Sequence, residues 1–159
     1  MIKVLFVCAG NICRSPMAEA VFQDMVNKAR LSSKIAVDSA ATGSWHIGEK
    51  AHPRTLAVLQ RHNIPYNGRA RQFTRADLDE FDYVLAMDRE NLSHIQRQGY
   101  QNKAKVSLFL HYAKEKGMVD VDEVPDPYAN TDAMFHEVYK LVTMGCVALL
   151  AHIRARHEL

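Results

Sequence analysis

Val4-Leu5-Phe6-Val7 is an apolar, β-branched and aromatic run without polar alternation, the pattern of a central parallel strand buried on both faces. Parallel strands are joined by crossover helices, and one follows closely. Ser15 can cap it, Pro16 fits its first position, and Met17, Val21, Met25 and Ala29 recur every four residues as an apolar stripe. Further strands are expected at Ile35-Ala36-Val37, Tyr83-Val84-Leu85-Ala86 and Val106-Ser107-Leu108. A second helix should open at Pro53, bury Leu56, Val58 and Leu59, and stop at Asn63-Ile64-Pro65. Others should run from Arg89 to about Arg97, and from about Thr131 to the neighbourhood of Ala155 with Phe135, Val138, Val142, Leu149 and Ile153 on the apolar side. The alternation implies an α/β fold: a single doubly wound domain over residues 1–159, with a four-stranded parallel sheet and helices on both faces. The irregular stretch from Lys114 to Asn130 exceeds most connections in compact domains, and loops that long are often functional.

With 159 residues and 48% hydrophobic content, one domain can build its core unaided. The formal charge of +2 is too small for general attraction to nucleic acid or anionic lipid, so any anion handling must be local. The charges are nonetheless uneven. Glu49 to Arg75 carries six Lys or Arg against one acid, and Val119 to Glu137 six acids and no Lys or Arg, a pattern of solvated faces that can also bias partner choice. Three cysteines cannot all pair within the chain and suit a reducing compartment. The apolar start meets Asn11 and Arg14 at once, and the run from Leu141 to Ile153 falls short of the roughly 20 residues of a membrane span. A cytoplasmic protein with no membrane or nucleic-acid partner is expected.

Cys8-Ala9-Gly10-Asn11-Ile12-Cys13-Arg14-Ser15 joins the first strand to the first helix, beyond the carboxyl end of the sheet where ligands bind in such folds. Unpaired N–H groups of the helix point back into the loop and make a concavity for anions. A Cys at the loop's first position feels the helix dipole and Arg14, both of which favour thiolate. Arg14 adds a planar fork able to hold two oxygens of a phosphate. Gly10 and Asn11 tolerate the positive φ that turning N–H groups inward requires. A cation at a helix N-terminus opposes the dipole, a placement that makes sense if an anion sits between them. An isolated Cys8 would read as a core cysteine; the Cys-x5-Arg-Ser spacing in this context reads as a phosphate loop.

These residues resemble the low-molecular-weight protein tyrosine phosphatases, and the similarity continues through Asp38-Ser39-Ala40, Trp45-His46-Ile47-Gly48, Pro53-Arg54, Arg69-Ala70-Arg71-Gln72, Phe81 to Asp88 and Val124 to Tyr128. The resemblance implies that Cys8 attacks the phosphorus of a phosphomonoester and forms a phosphocysteine, while Arg14 and the N–H groups from Ala9 to Arg14 hold the oxygens. Ser15 and Asn11 would support the sulfur, and Asp126 would act as general acid and then base. Trp45 and Tyr128 would wall the cleft, and Cys13 would pair reversibly with Cys8 under oxidant. No metal or other cofactor is implied. Tyrosine-phosphorylated proteins, a tyrosine kinase among them, would be the partners of a monomer or weak self-associate.

Three positions depart from the family pattern. Ala129 stands where many members have a second Tyr and should bare one cleft wall; Gly68 replaces a His that bonds the loop Asn, leaving the network through Asn11, Ser15 and Ser39 one support short; His52 replaces an acid. Two alternatives stay in view: a thioredoxin-coupled arsenate reductase of the same fold, which would need two relay cysteines between Cys13 and Cys146, and a non-catalytic phosphate- or phosphotyrosine-binding module, which would not need Asp126. Cys146 falls on an apolar helical stripe and reads as core.

Overall fold

The structure, a computed structural model, describes residues 1–99 and 102–159. Its elements in order are β1 (Ile2–Cys8), α1 (Arg14–Lys28), β2 (Ile35–Ala41), α2 (Pro53–Arg61), α3 (Asp77–Glu80), β3 (Tyr83–Ala86), α4 (Arg89–Gln96), β4 (Lys105–Leu108), α5 (His111–Glu115) and α6 (Asp132–His157). The four strands form one parallel sheet in the order β2-β1-β3-β4, with Val4 opposite Val37 on one side and Tyr83 on the other. β1 is central, as its unbroken apolar run requires. Val4 and Phe6 enter a core shared with α1, α2, α5 and α6, while Leu5 and Val7 enter a second core with Phe73, Leu78, Phe81 and Ile95. Helices therefore cover both faces of the sheet, the doubly wound arrangement expected from the sequence.

Phe6 anchors the larger core through edge-on contacts with Phe22, ring centroids 5.7 Å apart, and Phe109 at 5.2 Å. Burying an aromatic side chain this fully is worth about 1.5–3 kcal/mol, and edge-on pairing adds roughly 0.5–1.5 kcal/mol. α6 is long and apolar enough to cross a membrane, contrary to the expectation from its apolar run, because helix continues well beyond that run on the N-terminal side. Its Phe135, Val138, Val142, Cys146, Leu149 and Ile153 are fully buried, and the helix packs on α1, α2 and α5. It is the core helix of this domain.

Several local expectations change. α1 starts at Arg14, one residue before the expected cap, with Cys13 at the N-cap and no side-chain capping bond; Ser15 lies inside the helix. β2 continues past Val37 to Ala41 because Asp38 and Ser39 find polar partners at its carboxyl end. The short helices α3 and α5 fall in segments too brief to show a helical period. Thr55 takes the fully buried place on α2 expected for Leu56, which is only half-buried.

Gly145 lets α6 approach the sheet. A Cβ there would lie 2.5 Å from Phe109 Cζ and 2.9 Å from Leu110 Cδ2. Gly145→Ala should therefore lower stability by about 1–3 kcal/mol in urea denaturation, against the gain of roughly 1 kcal/mol that helix propensity alone would give. A more stable variant would contradict this packing.

Candidate active site

The loop between β1 and α1 is shaped by where its carbonyls are held. The oxygens of Cys8, Ala9 and Ile12 accept from the backbone N–H groups of Thr42, Gly43 and His52, at 2.9, 2.9 and 2.8 Å, and the Cys13 oxygen accepts from Met17 N–H at 3.3 Å. In a planar trans peptide each carbonyl opposes the next residue's N–H, so those of Ala9, Gly10, Cys13 and Arg14 turn to the opposite side of the loop. Asn11 completes the turn with φ of +57°, a left-handed conformation its side chain tolerates. Its own N–H donates to Cys8 Sγ at 3.3 Å.

Ser15 does not cap. Its hydroxyl lies 3.0 Å from Cys8 Sγ and accepts from Asn11 Nδ2 at 2.8 Å. The other Asn11 amide proton goes to Ser39 Oγ at 2.9 Å, and Arg71 N–H donates to Asn11 Oδ1 at 3.1 Å. Ser39 Oγ in turn donates to Glu19 Oε1 at 2.6 Å, which also accepts from Tyr66 Oη at 2.9 Å. Gly68 brings no side chain to this network, and the Tyr66 phenol occupies the space beside it.

Arg14 is 3% exposed, so its charge must be met inside the protein. Nη1 donates to Asp88 Oδ2 at 2.7 Å and to the Val124 carbonyl at 2.9 Å. Nη2 is left towards the cleft, 3.8 Å from Asp126 Oδ2. Asp88 itself is fixed as the N-cap of α4 by a reciprocal pair of bonds with Asn91. Asp126 is held differently: Oδ1 accepts from Tyr128 N–H at 3.0 Å, and the side chain is 51% exposed.

The result is a cleft of about 330 Å³ with Cys8, Ala9, Gly10, Ile12, Cys13 and Arg14 as its floor and Trp45, His46, Asp126 and Tyr128 around it. Trp45 is 70% and Tyr128 52% exposed at the rim, the first lying over Gly43 and the second beside His46 and His52. Beside Tyr128 a second recess of about 350 Å³ is lined by His46, Lys50, His52 and Ala129, the side on which Ala129 was expected to bare the wall. His52 caps α2 by accepting Arg54 N–H at 3.1 Å and packs on Phe135 and Tyr128, with ring centroids 4.9 and 5.9 Å away. Burial, then the neighbouring Arg54 and His46, lowers its pKa and favours the neutral form that the cap requires.

The structure brings Cys8, Arg14, Trp45, Asp126 and Tyr128 together around one cleft and places Asn11 and Ser15 buried behind Cys8. Reading the sequence left out Glu19, Tyr66, His46 and the work of Asp88. Asp88 carried one usable signal, since it follows a parallel strand at the sheet's carboxyl end. The other three are joined to the loop only by tertiary structure.

The cysteines differ in environment. Burial above all, then the negative charges of Cys8 and Asp126, pushes the Cys13 thiol up to about 12, and burial alone holds Cys146 well above its ordinary value. Iodoacetamide at pH 8, followed by peptide mapping of the native protein, should leave Cys13 and Cys146 unmodified while Cys8 reacts. Labelling of Cys13 as fast as Cys8 would contradict these environments.

Comparison with known proteins agrees with this geometry. The profile of the family described as low molecular weight phosphotyrosine protein phosphatase matches residues 3–159. The chain is 45% identical to the low molecular weight protein-tyrosine-phosphatase YfkJ of Bacillus subtilis, over 100% of both chains. It is 42% identical to the human low molecular weight phosphotyrosine protein phosphatase, over 93% of each. The crystal structure of YfkJ superposes with a TM-score of 0.90, covering 98% of this chain and 96% of that one. A protein tyrosine phosphatase from Entamoeba histolytica, 32% identical, does so at 0.91 over 100% of both. With its Cys-x5-Arg-Ser loop, sheet and match along the whole length, the chain belongs to the low molecular weight phosphotyrosine protein phosphatase family.

Proposed function

We propose that this chain hydrolyses phosphotyrosine in proteins through a phosphocysteine on Cys8, with Asp126 as general acid and then general base. The convergence of the Cys8 sulfur, the loop N–H groups, Arg14 and the Asp126 carboxylate on one cleft supports this reading above any other observation. The phosphoryl dianion sits in the loop, its oxygens on the N–H groups and Arg14 Nη2. Cys8 Sγ forms a bond to phosphorus as the bond to the phenolic oxygen breaks, and Asp126 gives that oxygen its proton. Water then attacks phosphorus, Asp126 takes its proton, and the S–P bond breaks to release phosphate. Ser15 donates to the sulfur as it leaves, 3.0 Å away in the free protein. Charge stabilisation comes from donors fixed in advance, which suits a transition state whose charge spreads over three oxygens.

Asp126 must carry a proton to act as acid in the first step and have lost it to act as base in the second. The exposed rings of Trp45 and Tyr128 offer faces for the phenyl group of the substrate. Phosphate loop residues Ala9, Gly10, Asn11, Ile12 and Cys13 need no metal for this chemistry. Partners are tyrosine-phosphorylated proteins, a tyrosine kinase being one candidate; the packed face of α6 supports a monomeric or weakly associating enzyme, and three unpaired cysteines suit the reducing cytoplasm. An arsenate reductase relay lacks its cysteines, since the sequence has none between Cys13 and Cys146 and Cys146 is fully buried with its thiol donating towards the Ala18 carbonyl. A module that only binds phosphate has no use for the carboxylate of Asp126 at the mouth of the cleft.

Cys13 serves as a redox partner in this reading. A Cys8 sulfenic acid condenses with the Cys13 thiol, forming the disulfide and releasing water. Oxidation of Cys8 also removes one of the charges that hold Cys13 protonated.

An aryl phosphate assay in excess chelator tests the mechanism. Cys8→Ser should fall to background, and Asp126→Ala should lose about 10²- to 10⁴-fold in kcat with a poor leaving group. Full activity of Cys8→Ser would end the mechanism, and unchanged turnover by Asp126→Ala would remove it as the acid. After brief peroxide treatment, thiol reductant should restore wild type and leave Cys13→Ser largely inactive; equal recovery would remove Cys13 from the redox role.

A further inference from the structure

Glu19 and Tyr66 take no part in the steps above, yet they end a line of hydrogen bonds that begins at the Cys8 sulfur. Its direction follows from the amide of Asn11. Because Oδ1 accepts Arg71 N–H, the opposite atom is Nδ2, which has only protons to give. It gives one to Ser15 Oγ and one to Ser39 Oγ. Each hydroxyl must then send its own proton elsewhere: Ser15 towards Cys8 Sγ at 3.0 Å, and Ser39 to Glu19 Oε1 at 2.6 Å. The network holds only while Glu19 stays in place as the terminal acceptor.

Tyr66 is what holds it there. Its hydroxyl donates to the same Oε1 at 2.9 Å, and its ring stands where any side chain at position 68 would have to go, since a Gly68 Cβ would lie 2.4 Å from Tyr66 Oη and 2.6 Å from Cζ. Burial raises the pKa of Glu19, and the Ser39 and Tyr66 bonds oppose that rise; Asp38 and Arg71 are the charges facing it, the first raising and the second lowering. Without the phenol, Glu19 would keep one donor of two.

We propose that Tyr66 is a positioning residue for Cys8, fixing Glu19 so that Ser39, Asn11 and Ser15 keep a hydroxyl proton directed at the sulfur. The support expected to be missing at Gly68 is supplied from two residues earlier in the chain. The proposal rests on the phosphatase reading for its kinetic consequence, though its effect on the sulfur is measurable without turnover.

Tyr66→Phe removes only the hydroxyl. It should lower kcat on an aryl phosphate by about three- to tenfold with KM changed less than about twofold, the scale of one ordinary hydrogen bond, since the loss reaches the sulfur only through the intervening side chains. The pH midpoint of Cys8 alkylation by iodoacetamide should move upward. Gly68→Ala, which displaces the phenol without deleting it, should shift both readouts the same way and add nothing kinetically in the Tyr66→Phe background. Wild-type kcat and alkylation midpoint in Tyr66→Phe would overturn the proposal. So would a lower melting temperature with both readouts unchanged, since that marks a purely structural residue. If wild type itself fails to hydrolyse aryl phosphates, the parent reading fails, while the alkylation midpoint still decides the role of Tyr66.

Discussion

A buried cation at the positive end of a helix is the constraint around which this molecule is arranged. Arg14 opens α1, where the dipole disfavours it, and almost none of it reaches solvent. Its position is tenable because Asp88, at the end of β3, and the Val124 carbonyl, far along the chain, both take bonds from Nη1. Breaking a buried pair of this kind generally costs about 3–5 kcal/mol, so the first helix, the third strand and the loop carrying Asp126 are tied together at one nitrogen. The other nitrogen faces the cleft, 3.8 Å from Asp126 Oδ2.

The fold serves that point from both faces of the sheet. β1 delivers Cys8 at its carboxyl end with no freedom to shift, since every residue from Val4 to Val7 is fully buried and paired with β2 on one edge and β3 on the other. β2 contributes Ser39 to the loop's support, and the segments after β2 hold the loop carbonyls outward through Thr42, Gly43 and His52. The loop carrying Asp126 differs in character: Asp126 and Tyr128 are half-exposed and joined by a single bond from the Tyr128 N–H to the Asp126 carboxylate, the looser fastening common in surface loops.

Much of this was legible in the residues. The unalternated run at Val4–Val7 gave away a central parallel strand, and the spacing from Cys8 to Arg14 pointed to the loop at its end that floors the cleft. Local spacing could not decide what Ser15 does, because a hydroxyl at a helix start can cap the backbone or turn to a nearby sulfur, and only the geometry of Asn11 selects the second. Glu19, Tyr66 and Asp88 escaped for a different reason. Their partners lie 20, 47 and 74 residues away in the chain, and no periodicity or motif records such pairings. The two shortest helices carried too few residues to show a period, whereas α6 ends within two residues of where its apolar stripe placed it, and only its unbroken apolar run understated its length.

The central claim is that phosphate passes through a covalent bond to Cys8. Rapid mixing with a labelled phosphotyrosine peptide, acid quench and peptide mapping test it most directly. The account predicts that transient label appears on the Cys8 peptide and decays as free phosphate rises. Steady release of phosphate with no label on Cys8, or label on another residue, would contradict it.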